Sequence, residues 1–502
     1  MQLNRKLLES NKNFNNIATI GPLNEMPERV LQFGEGNFLR AFVDWHFNEL
    51  NKHGLFNGKV VIVQPLKEGM IDAINKQNGL YTLLLRGIQN GKQIEKTEVI
   101  TSVNRGINPY SDWKGFLNCA ANPDLRFIVS NTTEAGISYN KIPFPENECP
   151  VSFPAKVAAF LYERYKKFSG AKNKGMIIIP CELIKDNGNT LHKYILQHAE
   201  DWNLESEFIR WIQENNYFYN TLVDRIVPGF PKDEIETLTK KLGYEDNIIV
   251  SAEIFHLWVI QGNKIASEEL PFVKAGLNVV WTDDIQPYRN LKVRILNGAH
   301  TMFTIPSFLS GNDTVQQSVE DKVIGNYIEE GLFNEIIPTL DFPEEKKLEF
   351  AQEIIERFQN PFIKHYLISI TLNSISKFKV RVLPSILEYF EMNKQAPEAL
   401  SFSLAALIWF YRGYCSKKLS QNGSREFTLK DDEDVMKFFE GMKSISDYDT
   451  VVKSVLGNES FWNLDLNKID GLAEIVSFYY KSIDSIGMKP AIVELLSTKT
   501  TD

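Results

Sequence analysis

None of the four cysteines in this 502-residue chain, Cys119, Cys149, Cys181 and Cys415, belongs to a CxxC pair. That spacing argues against a zinc ribbon. So few thiols over so long a chain do not describe a disulfide scaffold, and reduced thiols in a cytoplasmic protein are the expectation. Positive charge is also short: 55 Lys and Arg stand against 64 Asp and Glu, for a net charge of -9. Phosphate backbones call for a basic surface, which argues against nucleic acid as the main partner. A few local cations would still suffice for one small carboxylate. Apolar runs of membrane-spanning length are missing. The most apolar segment, Ala399–Tyr411, falls short of the roughly 20 residues a bilayer needs and carries two serines. It reads as a buried helix, and no membrane partner is expected. The opening MQLNRKLLESNKNF lacks the apolar core of a signal peptide, which again points to the cytoplasm. Histidines and carboxylates do not fall at metal-ligand spacing, so no metal is expected; His46, His53 and His256 are chance ligands at most.

What is present suits a globular protein of two domains. The hydrophobic fraction is 43% and the charged fraction 24%, and the chain is too long for one core. ERVLQF, from Glu28, reads as a short buried strand, followed by GEGN and a long amphipathic stretch, FLRAFVDWHFNELNKHG. Phe38, Leu39, Phe42, Val43, Phe47 and Leu50 recur in it at helical spacing, with Asn37 as N-cap and Gly54 as stop. KVVIVQ, Lys59 to Gln64, is the next strand and completes a βαβ unit. Tyr81 to Ile100 reads as a hairpin with Asn90-Gly91 at its turn. Strands at Leu125–Asn131 and Gly175–Leu183 flank a helix over Ala155–Phe168. This alternation predicts an α/β fold, a Rossmann-type doubly wound sheet. After about residue 190 helical periods dominate, among them Val315–Gly331, Glu344–Phe358 and Ala396–Tyr414. The expected division is 1–284 for the dinucleotide-binding domain and 285–502 for a mainly α-helical domain.

Gly34 and Gly36 sit between a buried strand and a helix start, where a dinucleotide pyrophosphate needs close backbone approach and free N–H groups. Gly34, Gly36, Asn37 and Phe38 are therefore candidate cofactor contacts. Leu39 stands where the usual third glycine would be, and a tight turn that binds nothing is the bland alternative. The second strand usually ends in an acid for the adenosine ribose. Here it ends in Gln64, also a candidate contact, and Lys67 nearby leaves NADP open. Ser130, Asn131, Thr132 and Glu134 lie at the carboxyl end of a strand, where a doubly wound sheet lines its crevice; Asn131 and Glu134 are the candidate contacts there. Glu182, beside Cys181 at another strand end, could touch substrate.

DDIQPYRNLKVRILNGAHTMFTIPSFL is the most informative segment. Pro287 suits a first helical turn, and Lys292, Asn297 and His300 then fall within an arc of roughly 140° on an α-helix, with Arg294 on the opposite side. Gly298 and Ala299 leave room for close packing. A lysine made less basic by apolar neighbours is a competent proton donor to an alkoxide. Asn297 and His300 can orient the oxygen that receives the proton. A solvated lysine beside a core histidine is the bland alternative.

These residues resemble the long-chain polyol and sugar-acid dehydrogenase family, through K-x-R-x-x-N-G-x-H at Lys292, Arg294, Asn297, Gly298 and His300. GEGNFLRAF, TLVDRIVP (Thr221–Pro228) and ERFQNPFIKH (Glu356–His365) are similar to further family segments, in family order. The wording VLQFGEGNFLRAFVDW and PCELIKDNG is closest to the branch that interconverts altronate and tagaturonate. Leu183 is a departure, standing where the mannitol branch has an oxyanion-positioning asparagine. The resemblance implies NAD as cofactor, a metal-independent mechanism with Lys292 as general acid/base, Asn297 and His300 positioning the reacting oxygen, and a site in the cleft between the domains. It implies a small sugar acid as partner and a place in hexuronate catabolism. Relatives acting on fructuronate or mannitol, and a cofactor-binding regulator that lost the chemistry, are the alternatives. A sugar acid needs a cation for its carboxylate, which makes His365, Lys377 and Arg381 the substrate candidates, against the plainer reading of a solvated basic face. Asp224 and Arg225 read as a structural ion pair, and His46 as a packing residue.

Overall fold

The computed structural model describes residues 1–10, 18–133, 135–415 and 428–498. The chain folds as two compact units, Met1–Gly87 with Lys92–Ile285, and Ile88–Gly91 with Gln286–Asp502.

The first unit is built on six strands: β1 Glu28–Phe33, β2 Lys59–Val63, β3 Val103–Ile107, β4 Phe127–Ser130, β5 Ile177–Pro180 and β6 Tyr217–Phe218. All their pairings are parallel, in the order β3-β2-β1-β4-β5-β6. This is the doubly wound order of dinucleotide-binding folds, and its topological switch lies between β1 and β4. Alternate residues feed opposite faces, as the pleat requires. Val30, Val60, Ile62, Val129 and Ile179 join one core with Val43, Phe47 and Leu50 of the helix Val43–Lys52. Leu31, Phe33, Val61, Ile128 and Ile178 join a second core with Val157, Phe160 and Leu161 of the helix Phe153–Lys167. Burial on both faces explains why these strands are nearly continuous apolar runs.

Three expectations for this unit are corrected. The helix after the glycine turn is two helices, Asn37–Ala41 and Val43–Lys52, separated by Phe42 at φ -124 and ψ -76. Its N-cap is Gly36, and Asn37 is the first helical residue. The region after residue 190 also keeps strands, at Asn220–Asp224, Val250–Glu253, Leu257–Gln261 and Val279–Thr282. At four or five residues each, they are too short to outweigh the helical periods around them. The hairpin Tyr81–Gln89 and Lys92–Ile100 has Asn90 at φ 53 and Gly91 at φ 69, the backbone a two-residue turn of this hand demands.

The second unit is helical. Glu398–Cys415 is a continuous helix whose residues from Ala399 to Ile408 are all buried, and no helix among the described residues is long and apolar enough to cross a membrane. The stretch Val315–Gly331 is not one helix but Val315–Glu320, Lys322–Glu329 and a π-helical turn, Glu330–Ile336. Asp321 makes the first break: its backbone is extended and its carboxylate accepts from Val323 N and Ile324 N, capping a new helix.

Burial of histidine makes the fold sensitive to acid. Burial lowers His46 to about 3 and His198 to about 4, and it lowers His192, His256, His300 and His365 as well. Each folded value lies below the unfolded one, so the unfolded chain binds protons that the folded chain refuses. Stability is then fully present above about pH 6.5 and is lost as pH falls, by up to about 1.4 kcal/mol per pH unit for each fully buried histidine. Asp44 and Glu353, both raised by burial to about 7, act in the opposite sense between roughly pH 4 and pH 7, and burial raises Glu35, Glu49, Glu182 and Asp246 in the same direction. Below about pH 4 the raised carboxyls are protonated in both states and oppose no further, while His46 still refuses its proton, so the melting temperature is expected to fall most steeply there; a flat profile from pH 4 to pH 3 would contradict the burial.

Candidate active site

The first unit carries the glycine turn at the switch between β1 and β4. Gly34 has φ +126, and a Cβ there would stand 2.8 Å from Leu39 Cδ1 and 3.0 Å from Asn131 O. Only glycine fits. Leu39, in place of a third glycine, packs beneath the turn in the room Gly34 leaves. A Cβ on Gly36 would meet nothing within 4 Å, so this exposed backbone faces open space at the helix start. A close, bare backbone with helix N–H groups beside it fits the pyrophosphate of a dinucleotide.

The other crevice candidates are placed less uniformly. Asn37 is exposed and its Oδ1 accepts from Arg40 Nη2 at 2.8 Å. Phe38 stacks on Phe42 with ring centroids 5.0 Å apart, half-buried against the core. Asn131 donates from Nδ2 to Cys181 O at 3.0 Å. Its backbone, not its amide, walls the glycine turn. Gln64 is turned away from solvent: Nε2 donates to Leu66 O at 3.0 Å and Lys67 O at 2.9 Å, and Oε1 accepts from Ile71 N. The amide therefore shapes the loop after β2 rather than standing open to a ligand. Glu134 lies outside the described residues. Glu182, fully enclosed, accepts from Ser130 Oγ, Thr132 N and Thr132 Oγ1, each at 3.0 Å. Burial raises its carboxyl, and it ties the end of β4 to the end of β5 instead of facing a substrate. Arg225 donates to Glu253 O and Ala41 O and lies 4.4 Å over the Trp45 ring. His46 is packed among Phe42, Trp45, Trp258 and Phe272, as a packing residue would be.

Glu35, between the two glycines, escaped the sequence reading. It is 9% exposed, and its Oε2 has no hydrogen-bond partner among the described residues. Its carboxylate accepts from its own N–H and from Met70 N–H, while burial raises it.

In the second unit the segment with Lys292 is not an α-helix throughout. Gln286–Leu291 is α-helical, Lys292–Asn297 is a π-helical turn, and Gly298–Leu309 is α-helical again. On an α-helix Asn297 would lie about 140° from Lys292. In a turn closed by i→i+5 bonds, residues five apart approach the same side, as residues four apart do in an α-helix. The π turn thus brings Lys292 and Asn297 together more closely than the α-helical reading implied. Arg294 anchors its far side, with Nε donating to Ser385 Oγ at 2.7 Å and Nη2 to Glu388 Oε2 at 2.7 Å and Thr339 Oγ1 at 2.8 Å. Lys292 and Asn297 are half-buried; Ile295, Leu296, Met302 and Phe303 enter the core, and Val293 stays half-exposed.

His300 is buried against Phe358, with ring centroids 4.4 Å apart, and its Nε2 has no hydrogen-bond partner among the described residues. Burial, His365, Arg357 and Arg381 hold it well below the ordinary histidine range, so the ring is neutral at pH 7. His365 meets it edge-on at 5.1 Å. The room predicted at Gly298 is filled by main chain: a Cβ there would lie 3.0 Å from Arg381 O. That contact sets the end of the helix Ser374–Arg381 against this face. Arg381 is half-buried, burial lowers its pKa, and among the described residues no hydrogen bond or ion pair engages its guanidinium. Lys377 is also half-buried; it donates to Ile370 O at 2.9 Å, and burial and Arg381 lower it. The result is a neutral imidazole whose Nε2 has no partner among the described residues, close to Arg381, whose guanidinium has no counter-charge among them. Among the described residues no group of three or more His, Cys, Asp or Glu is placed to hold a metal ion.

Two family models match, the mannitol dehydrogenase Rossmann domain over residues 28–274 and the mannitol dehydrogenase C-terminal domain over residues 284–484. An altronate oxidoreductase of Bacillus subtilis is 45% identical over 470 residues, 93% of this chain and 95% of that protein. One of Escherichia coli is 43% identical over 474 residues, 93% of this chain and 97% of that protein. Among solved structures, D-sorbitol dehydrogenase in substrate-free form superimposes with a TM-score of 0.81 at 23% identity, over 98% of this chain and 100% of that one. Pseudomonas fluorescens mannitol 2-dehydrogenase, in a ternary complex with NAD and D-mannitol, gives 0.69 at 21% identity, over 99% and 100%. At such identities these likenesses speak for the fold.

Proposed function

The chain belongs to the mannitol dehydrogenase family, and from that premise we propose that it is a tagaturonate reductase, interconverting D-altronate and D-tagaturonate with NAD(H) in cytoplasmic hexuronate breakdown. The observation that carries the substrate class is Arg381, a half-buried guanidinium without a counter-charge among the described residues, close to the open nitrogen of His300. A neutral polyol offers such a cation hydroxyl oxygens but no charge; a carboxylate offers it two oxygens and the missing negative charge.

When bound, the nicotinamide supplies the hydride that reduces the ketone carbon, or takes it back from the alcohol. The protein's share is the proton. Lys292 gives one proton to the ketone oxygen as the alcohol forms, and takes one from the alcohol in the reverse direction. His300 cannot serve as the charged acid, because its ring is neutral at pH 7. It is left to orient the reacting oxygen with Nε2, together with the Asn297 amide. Arg381, with Lys377 and His365 beside it, holds the carboxylate and so fixes which ketone carbon is presented. Gly34 and Gly36, with Asn37, Phe38 and the Asn131 backbone, form the cofactor's cradle.

The direct test is oxidation of NADH and NADPH by the purified protein with tagaturonate, fructuronate, fructose and fructose 6-phosphate. The expected result is a kcat/KM for tagaturonate with NADH at least tenfold above every other pair. Preference for a neutral ketose would overturn the role of Arg381. Binding of NADH with no turnover of any ketose would point to a regulator.

A further inference from the structure

The second strand of a doubly wound fold normally ends in the acid that bonds the adenosine ribose. Here it ends in Gln64, whose amide is consumed by its own loop. Glu35, in the glycine turn after β1, reaches across to the loop after β2. A Cβ on Gly69 would lie 2.3 Å from Glu35 Oε1 and 2.4 Å from Gln64 Cδ, so the carboxylate and the Gln64 side chain crowd the same glycine. Met70 N–H helps hold the carboxylate there. Glu35 is 9% exposed, yet Oε2 meets no donor among the described residues. An orphaned carboxylate oxygen at the carboxyl end of the second strand is an acceptor awaiting a ligand's hydroxyl.

We propose that Glu35 takes the place of the missing strand-end acid: its free oxygen accepts from an adenosine ribose hydroxyl and excludes a 2′-phosphate, so that the protein selects NAD(H) over NADP(H). This rests on the reading of the glycine turn as a dinucleotide site. Two features make the discrimination sharp. A phosphate would bring like charge against a carboxylate with little water to screen it. The room beside Gly69 is also already taken, since a Cβ there would lie 2.3 Å from Glu35 Oε1. Exposed Lys67, the residue that left NADP open, works against this selection, which is why the carboxylate must be close to prevail.

The test is equilibrium binding of NADH and NADPH, followed by nicotinamide fluorescence, without substrate or turnover. Glu35→Gln keeps an acceptor for Met70 N–H and removes the charge. Its ratio of NADPH to NADH dissociation constants is expected to fall at least tenfold from the wild-type value. Gly69→Ala is the second variant: it leaves the charge in place but pushes the carboxylate aside, and it should move the ratio in the same direction. An unchanged ratio in a folded variant that binds NADH overturns the proposal. Equal weakening of both dinucleotides does so too, since it would make Glu35 a loop brace only. If the wild-type protein binds neither dinucleotide, the dinucleotide reading itself falls; binding with an unaltered ratio sinks only the role of Glu35.

Discussion

Lys292→Ala is expected to cut kcat by about three orders of magnitude, within the 10²- to 10⁴-fold usual for a positioned general acid, while NADH binding and the melting temperature stay near wild type. Three observations set this expectation. Lys292 opens the π turn that carries Asn297 to its side. The nearest alternative acid, His300, is held neutral by burial and the surrounding cations. Arg294 in the same turn is committed to Ser385, Thr339 and Glu388, and a guanidinium is in any case too weak an acid to replace an ammonium. Removing Lys292 therefore leaves the alkoxide with water alone. The loss should appear in kcat and kcat/KM together, since the proton moves only in the transition state. Small primary amines added to the alanine variant should restore part of the rate, and Lys292→Arg should not. Near-normal turnover in a folded Lys292→Ala protein would end the proposed mechanism.

How much of the fold and site is legible in the sequence depends on the kind of signal. The two-glycine turn is legible, because a strand, a tight turn and a helix start each leave a local pattern. The sheet is legible where strands are buried on both faces, as at Lys59–Val63 and Ile177–Pro180. The strands between residues 217 and 282 are not, since each is short and their pairings join distant segments. The π turn is invisible: apolar spacing around Lys292 fits an α-helix well enough, and nothing local reports an i→i+5 closure. Gln64 and Glu35 show the same limit from the other side. The strand-end position lacks an acid in the sequence, but only the fold reveals that the neighbouring loop delivers one. Residue types are readable; the partners that consume or spare their polar atoms are not.

Arg381→Leu carries the second large effect, and it separates recognition from chemistry. The guanidinium is half-buried, its pKa is lowered by burial, and no described residue offers it a hydrogen bond or an opposite charge. Such a cation costs the fold desolvation without a compensating pair. Leucine should therefore leave the melting temperature unchanged or raise it. A residue kept at that cost is explained if a ligand supplies the missing anion. Loss of a bidentate, charge-assisted contact is expected to lower kcat/KM for tagaturonate about 10²- to 10³-fold, mostly through KM. A neutral ketose has no carboxylate to lose, so its kcat/KM should move by less than about threefold, narrowing the gap between the substrates. Arg381→Lys should fall between, keeping the charge but not the planar fork. Steady-state kinetics on both substrates, beside thermal unfolding, decide the matter. If the leucine variant loses both activities equally, or melts well below wild type, Arg381 supports the helix Ser374–Arg381 against Gly298 and the carboxylate is held elsewhere, with Lys377 next to be tested.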